Sequence, residues 1–125
     1  MNSLDKYFSR FKKIPIDKFI SNALYNKDYG YYSKKNPFGK NGDFITSPAV
    51  TPLFSELIAL WIISFWEHLG RPKKFNVVEL GPGNGQMCMT LLRVFKKFPT
   101  FLNSVNIFLY ERSKALENLQ KNNLN

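Results

Sequence analysis

Residues Phe75 to Gly85 read FNVVELGPGNG, an apolar β-branched run that ends in an acid and then breaks into glycines at every second position. A continuous apolar run is the pattern of a strand buried in a parallel sheet. Glycines directly after it let the backbone turn sharply and approach a ligand closely where the next helix begins. The next strand-like run, VNIFLY from Val105 to Tyr110, also ends in an acid, Glu111, 26 residues after Gly85. Together they predict a strand, loop, helix, strand unit of right-handed crossover, with strands over 75–80 and 105–110. A nucleotide-like ligand is expected at the loop. Glu111, at the end of the second strand, is placed to accept hydrogen bonds from ribose hydroxyls.

The loop does not suit a dinucleotide. The G-x-G-x-x-G fingerprint would need a third glycine at position 86, which is Gln86; the spacing is instead Gly81, Gly83, Gly85. Glu79, just before the loop, would repel a pyrophosphate held on the following helix N-terminus but suits a ligand carrying positive charge. S-adenosylmethionine is such a ligand, with a sulfonium, an ammonium and a ribose but no phosphate. The E-x-G-x-G-x-G form with its downstream acid resembles motif I of class I methyltransferases. By that resemblance Gly81, Gly83 and Gly85, with Pro82 between them, line the methionine part of the cofactor, and Glu111 binds the ribose 2′ and 3′ hydroxyls.

Charge and cysteine usage narrow the setting. Eighteen Lys and Arg against nine Asp and Glu give +9 at pH 7. A basic balance can signal nucleic acid, yet the basic residues fall in pairs such as Lys12-Lys13, Lys73-Lys74 and Lys96-Lys97, mostly beside turns and without an Arg-rich face. Nucleic acid is therefore not the expected partner. The lone Cys88 excludes an internal disulfide and fits a reducing compartment; in the helix after the loop it reads as a small buried hydrophobe. His68 is the only histidine, so neither a His-based metal site nor a His-based triad is expected. The N-terminus lacks the apolar core of a secretory signal and is poor in arginine for a mitochondrial presequence. Leu57 to Trp66 is too short to span a bilayer and reads as a buried helix, so no membrane insertion is expected.

The fold class expected is α/β: a truncated Rossmann-like sheet of the class I methyltransferase type carrying an N-terminal helical and loop extension. The extension covers residues 1–70 and the first βαβ unit residues 71–125. Within the extension, Ile16, Phe19, Ile20, Ala23 and Leu24 have helical spacing after Pro15. Tyr25 to Gly42, with three glycines and Pro37, reads as loop or hairpin. Thr51 is a good N-cap with Pro52 behind it, opening a long helix that stops at Gly70 and Pro72. After the glycine loop a helix is expected to about Phe98, closed by Pro99, and a last one from Ser113. With only two strands legible, a parallel sheet cannot bury its core, so the chain is expected to be the front part of a longer fold.

Three motifs narrow the family: Gly30-Tyr31-Tyr32, Gly42-Asp43-Phe44-Ile45-Thr46-Ser47-Pro48, and Glu79-Leu80-Gly81-Pro82-Gly83-Asn84-Gly85. With the sequence around them, from about Ile16 to Gln120, the chain resembles the MidA family. That resemblance implies an S-adenosylmethionine-dependent protein arginine methyltransferase. Its partner would be a protein carrying an acceptor arginine, with a respiratory complex I subunit as candidate. It would work in the bacterial cytoplasm, or in the mitochondrial matrix if the source is eukaryotic. A guanidinium acceptor must be oriented by carboxylates, which makes Asp43 the candidate catalytic residue; an Asx-turn is its structural alternative. Tyr31 and Tyr32 could wall a cavity or merely pack. Two other functions remain open: methylation of RNA or a small molecule with the same cofactor, and a non-catalytic remnant or assembly factor acting by contact.

Overall fold

The computed structural model describes residues 3–11, 13–34, 37–38 and 42–124. The element order is α1 (Ser3–Phe8), α2 (Ile16–Tyr25), α3 (Tyr31–Lys34), α4 (Ser47–Val50), α5 (Pro52–His68), β1 (Phe75–Leu80), α6 (Gln86–Phe95), α7 (Pro99–Leu102), β2 (Val105–Tyr110) and α8 (Lys114–Leu124). The mixed α/β class is as expected, and both strands have the bounds read from their apolar runs. β1 and β2 pair in parallel, in register from Phe75↔Val105 to Leu80↔Tyr110.

α5 starts where its cap chemistry puts it. The Thr51 hydroxyl accepts from the Leu53 N–H at 3.2 Å, satisfying one of the orphan donors of the first turn. At the other end Gly70 and Arg71 both take positive φ, 82° and 58°, which no helix can continue. Only one face of α5 is buried, Ser55, Ala59, Ile63 and Trp66, a spacing of four, four and three residues that forms a single stripe. Leu53, Leu57, Leu60, Trp61 and Phe65 are exposed. The expectation of a buried helix over 57–66 holds for one face only: the sequence is apolar on nearly every side, but among the described residues partners pack against one side.

That stripe lies on α6, and the two helices share one core. Ala59, Ile63 and Trp66 meet Leu91, Val94, Phe95 and Phe101, with Phe75, Val105 and Ile107 packed against them from the sheet. Residues on both sides of position 70 thus build the same interior. Phe101 is its aromatic hub. It stands edge-on to Phe95 at 4.8 Å and to Trp66 at 5.3 Å, within the favourable range for T-shaped rings. The Trp66 indole N–H donates to the Pro72 carbonyl at 2.9 Å, so its polar end is satisfied.

The helix expected to run to Phe98 ends at Phe95, and a separate turn, α7, follows from Pro99. The break is chemically sensible, because Pro99 disfavours helical φ/ψ at Phe98 and then opens the next turn itself. The strands alternate, with Phe75, Val77, Glu79, Val105, Ile107 and Leu109 half-buried on the helix side and Asn76, Val78, Leu80, Asn106, Phe108 and Tyr110 exposed. Both-face burial, expected from the apolar run, is absent among the described residues, since no described element lies on the outer face.

Phe101→Ala is expected to lower stability by about 3–5 kcal/mol, because it removes a fully buried ring from a closely packed cluster. Urea denaturation monitored by Trp66 fluorescence measures it, with a loss under about 1 kcal/mol, typical of surface substitutions, placing the ring outside the core.

Candidate functional site

The parallel register brings the carboxyl ends of β1 and β2 side by side. The Gly81 N–H donates to the Tyr110 carbonyl at 2.9 Å, carrying the ladder one step into the glycine loop. Gly81, Gly83 and Gly85 all have positive φ, 68°, 58° and 79°. The Gly85 N–H closes a turn onto the Pro82 carbonyl at 2.9 Å, and the Asn84 side-chain oxygen accepts from the Gln86 N–H at 3.1 Å at the start of α6. Gly83 is required twice over. Its φ is strained for any side chain, and a Cβ there would lie 3.1 Å from the Phe38 ring.

Glu79 is the last inward-facing residue of β1. Its Oε2 is buried and accepts no hydrogen bond, and burial lifts the carboxyl above its ordinary value. Cys88, 2% exposed in α6, is a free thiol pushed up to about 11 by burial and by the charge of Glu79, which makes it unreactive. Glu79, Gly81, Pro82 and Gly83 line a cleft whose opposite wall is Phe38, Thr46 and Pro48. The Gly42 to Pro48 motif builds that wall: Phe44 bridges Phe38, and its N–H donates to the Pro37 carbonyl at 2.9 Å.

Glu111 opens onto an adjoining cavity with Gly81 and Gly83, walled by Tyr25, Tyr32, Phe38 and Leu116. The Arg112 and Ser113 N–H groups both donate to its Oε1 at 2.8 Å. This fixes the carboxylate and leaves Oε2 without a protein partner among the described residues. Tyr25 and Tyr32 stack at 5.6 Å, and Tyr32 and Phe38 at 6.3 Å. The wall is fastened behind Glu111. Ser113 Oγ donates to the Tyr32 carbonyl at 2.5 Å, and the Arg112 guanidinium lies 4.2 Å from the centre of the Tyr25 ring.

Two candidates lie elsewhere. Gly85 is buried at the N-cap of α6 against Gln120 of α8, and lines neither cavity. Asp43 is exposed, accepts from the Tyr31 hydroxyl at 2.5 Å, and raises that phenol to about 12. It too lines neither cavity. Of the tyrosine pair, Tyr32 therefore faces the Glu111 cavity and Tyr31 faces Asp43. Tyr25 and Phe38 were not singled out from the sequence, where both read as residues of a loop or hairpin; Tyr25 is instead the last residue of α2. Among the described residues no cluster of His, Cys, Asp or Glu could hold a metal ion, and no helix is long and apolar enough to cross a membrane.

These residues fit a nucleoside ligand bearing positive charge. A buried carboxylate oxygen with no partner calls for a cationic donor, and a fixed carboxylate with one free oxygen suits a ribose diol. The comparisons agree. Residues 57–125 match the model of a family described as "Putative S-adenosyl-L-methionine-dependent methyltransferase". The chain is 40% identical over 113 residues to the mitochondrial protein arginine methyltransferase NDUFAF7 of Xenopus tropicalis, covering 89% of this chain and 26% of the relative. It is 42% identical over 85 residues to the mitochondrial NDUFAF7 homolog of Drosophila melanogaster, covering 68% of this chain and 20% of the relative. A crystal structure from Burkholderia thailandensis, described as a "likely methyl transferase" bound to S-adenosyl-homocysteine, superposes with a TM-score of 0.70 at 28% identity over 89% of this chain and 29% of that one. The chain thus spans about a quarter of the length of the curated relatives it matches.

Burial of Glu79 has a pH signature in the ligand-free protein. Its folded pKa lies above the ordinary 4.5, so the native state holds more protons than the unfolded one between those values, and stability falls as pH rises through that interval. Glu79→Gln removes the ionisation. Ligand-free Glu79→Gln is expected to resist urea better than the wild type at neutral pH, the gap closing as pH falls through that interval and gone by about 4. A gap independent of pH would mean that the carboxylate is not the cause.

Proposed function

Because the chain belongs to the S-adenosyl-L-methionine-dependent methyltransferase family that residues 57–125 match, we propose that it forms the cofactor-binding part of a protein arginine N-methyltransferase. The observation that carries the cofactor site is the placement of Glu79 and Glu111 at the same end of two paired parallel strands, on either side of a positive-φ glycine loop. In this reading Glu79 Oε2 receives the ligand's ammonium or sulfonium charge, Gly81, Pro82 and Gly83 make room for its amino-acid part, and Glu111 Oε2 accepts from the ribose. When bound, the cofactor supplies an electrophilic methyl group on sulfur.

The chain's own part in the reaction is positioning. Tyr25, Tyr32 and Phe38 cover the nucleoside side and exclude water, which strengthens the charge contacts inside. Methyl transfer needs the acceptor nitrogen aligned behind the methyl, so a group that orients the acceptor does most of what a protein can do. We assign that role to Asp43, a carboxylate held by the Tyr31 hydroxyl, because carboxylates pair with guanidinium groups through charge-assisted hydrogen bonds. The acceptor is taken to be an arginine of a protein, a respiratory complex I subunit being the candidate that family membership suggests. The mitochondrial matrix is the corresponding compartment for a eukaryotic source. The division at residue 70 into an extension and a βαβ unit belongs to the same proposal.

Calorimetry on the full-length protein tests the cofactor. S-adenosylhomocysteine is expected to bind far more tightly than NAD, and equal affinity would sink the reading. Glu111→Ala is expected to weaken S-adenosylhomocysteine binding by about 1–3 kcal/mol with circular dichroism unchanged; unaltered affinity would remove the ribose assignment. Asp43→Asn, followed by transfer of labelled methyl groups to a protein substrate, is expected to lower turnover more than cofactor affinity. Full turnover would return Asp43 to a turn residue.

A further inference from the structure

α8 is the helix after the second strand, and two of its polar side chains reach back to the glycine loop. The Gln120 Nε2 donates to the Gly83 carbonyl at 2.7 Å, a buried bond from a side chain 4% exposed. The Asn123 Nδ2 donates to the Asn84 carbonyl at 3.0 Å. Behind them α8 packs on the loop itself, since a Cβ at Gly85 would sit 3.4 Å from Gln120 Cγ. Two successive loop carbonyls are therefore held by one helix, across 37 and 39 residues of sequence.

Peptide planarity turns this into a statement about donors. In a trans peptide the carbonyl and the following N–H point in opposite directions. With the Gly83 carbonyl drawn to α8, the Asn84 N–H points away from it, on the side where Gly83 and Asn84 line the cleft with Glu79. No hydrogen bond among the described residues engages the N–H of Gly83 or of Asn84. The next peptide is fixed from both ends: Asn123 holds its carbonyl, and its N–H, that of Gly85, is committed to Pro82. Consecutive free N–H groups in a glycine turn form a concavity suited to a carboxylate.

We propose that Gln120, seconded by Asn123, is a positioning residue that sets the orientation of the Gly83–Asn84 peptide so that the Asn84 N–H, beside that of Gly83, receives the carboxylate of the cofactor's amino-acid end. This rests on the cofactor reading above. Gln120 does not touch the ligand; it acts through the loop backbone. Glu79 accounts for the cationic end of the same ligand, so the two ends of its zwitterion are met by different means. The cation faces a side chain and the anion faces a backbone held from behind.

The test compares two ligands on full-length protein. S-adenosylhomocysteine carries the amino-acid end, and 5′-methylthioadenosine is the same nucleoside thioether without it. Gln120→Met keeps the length and removes the donor; it is expected to weaken S-adenosylhomocysteine binding by about tenfold, the equivalent of one lost hydrogen bond to a strained loop. Binding of 5′-methylthioadenosine should change less than about twofold. Asn123→Ala, at an exposed position that should not affect folding, is expected to shift the same ratio in the same direction by a smaller factor, and decides the matter if Gln120→Met does not fold. Equal weakening of both ligands would show that α8 supports the site only in general, and no change in either would show that the loop keeps its orientation unaided; either result overturns the proposal. Failure of the wild type to bind S-adenosylhomocysteine at all overturns the cofactor reading instead, and the proposal with it.

Discussion

The parallel, in-register pairing of β1 with β2 is the constraint from which the site follows. Because Leu80 pairs with Tyr110, the acids one residue before and one residue after that pair, Glu79 and Glu111, arrive at the same edge from different strands. An antiparallel pair of the same segments would have put them at opposite ends. The register also extends into the loop through the Gly81 N–H and the Tyr110 carbonyl, so the first glycine is still part of the sheet. A slip of one residue would turn Glu79 outward and Val78 inward, exchanging a buried carboxylate for a valine. The burial of the Glu79 carboxyl and the exposure of Val78 are thus two readings of one register.

The N-terminal segment finishes what the strands begin. α2 has no buried residue and takes part in no core, yet its last residue, Tyr25, stacks on Tyr32 beside the Glu111 cavity. The fastenings that hold this wall, from Ser113 to the Tyr32 carbonyl and from Arg112 to Tyr25, come from the two residues directly after Glu111. The same two residues also give Glu111 its backbone hydrogen bonds. One short turn therefore sets the acid and fixes the aromatic wall opposite it. A change in the placement of the wall must pass through that turn, so the two are mechanically coupled through physical contacts rather than through proximity alone.

Where local chemistry decides structure, the sequence was readable. Thr51 with Pro52 marked the start of α5, Ser113 preceded α8, and the two apolar runs bounded the strands. The glycine loop was readable because its spacing and its neighbouring acids are a local pattern. What escaped was set by distance in sequence. Phe38 enters the cleft where Phe44 bridges it and Tyr32 stacks on it, and Gln120 meets Gly83 because α8 returns across the loop. Periodicity carries no information of that kind. The α5 expectation failed for a related reason. Apolar residues on every side of a helix say that it can be buried, but which side is buried depends on what stands beside it. The split of the post-loop helix at Phe95 was missed because Pro99 was read as a terminator of the preceding helix and not also as the opener of the next.

Stability and the candidate site are segregated along the strands. The amino ends, Phe75 and Val105, belong to the aromatic cluster of Trp66, Phe95 and Phe101, where the Trp66 N–H is satisfied and rings interlock. The carboxyl ends collect the unfavourable features: three glycines at positive φ, a buried carboxylate oxygen with no partner, and a second carboxylate with one oxygen left free. The first two of these weaken a ligand-free fold, since glycine loses the most freedom on ordering and a desolvated charge is costly. Such costs are tolerable only where the remainder of the structure supplies a surplus, and the α5 and α6 core lies at the other end of the same two strands. A ligand with a cationic end would cancel the cost of the buried Glu79 oxygen on binding, so part of its affinity would come from relief of a cost already present in the protein. The arrangement of defects, more than any single contact, is what distinguishes this end of the sheet from the other.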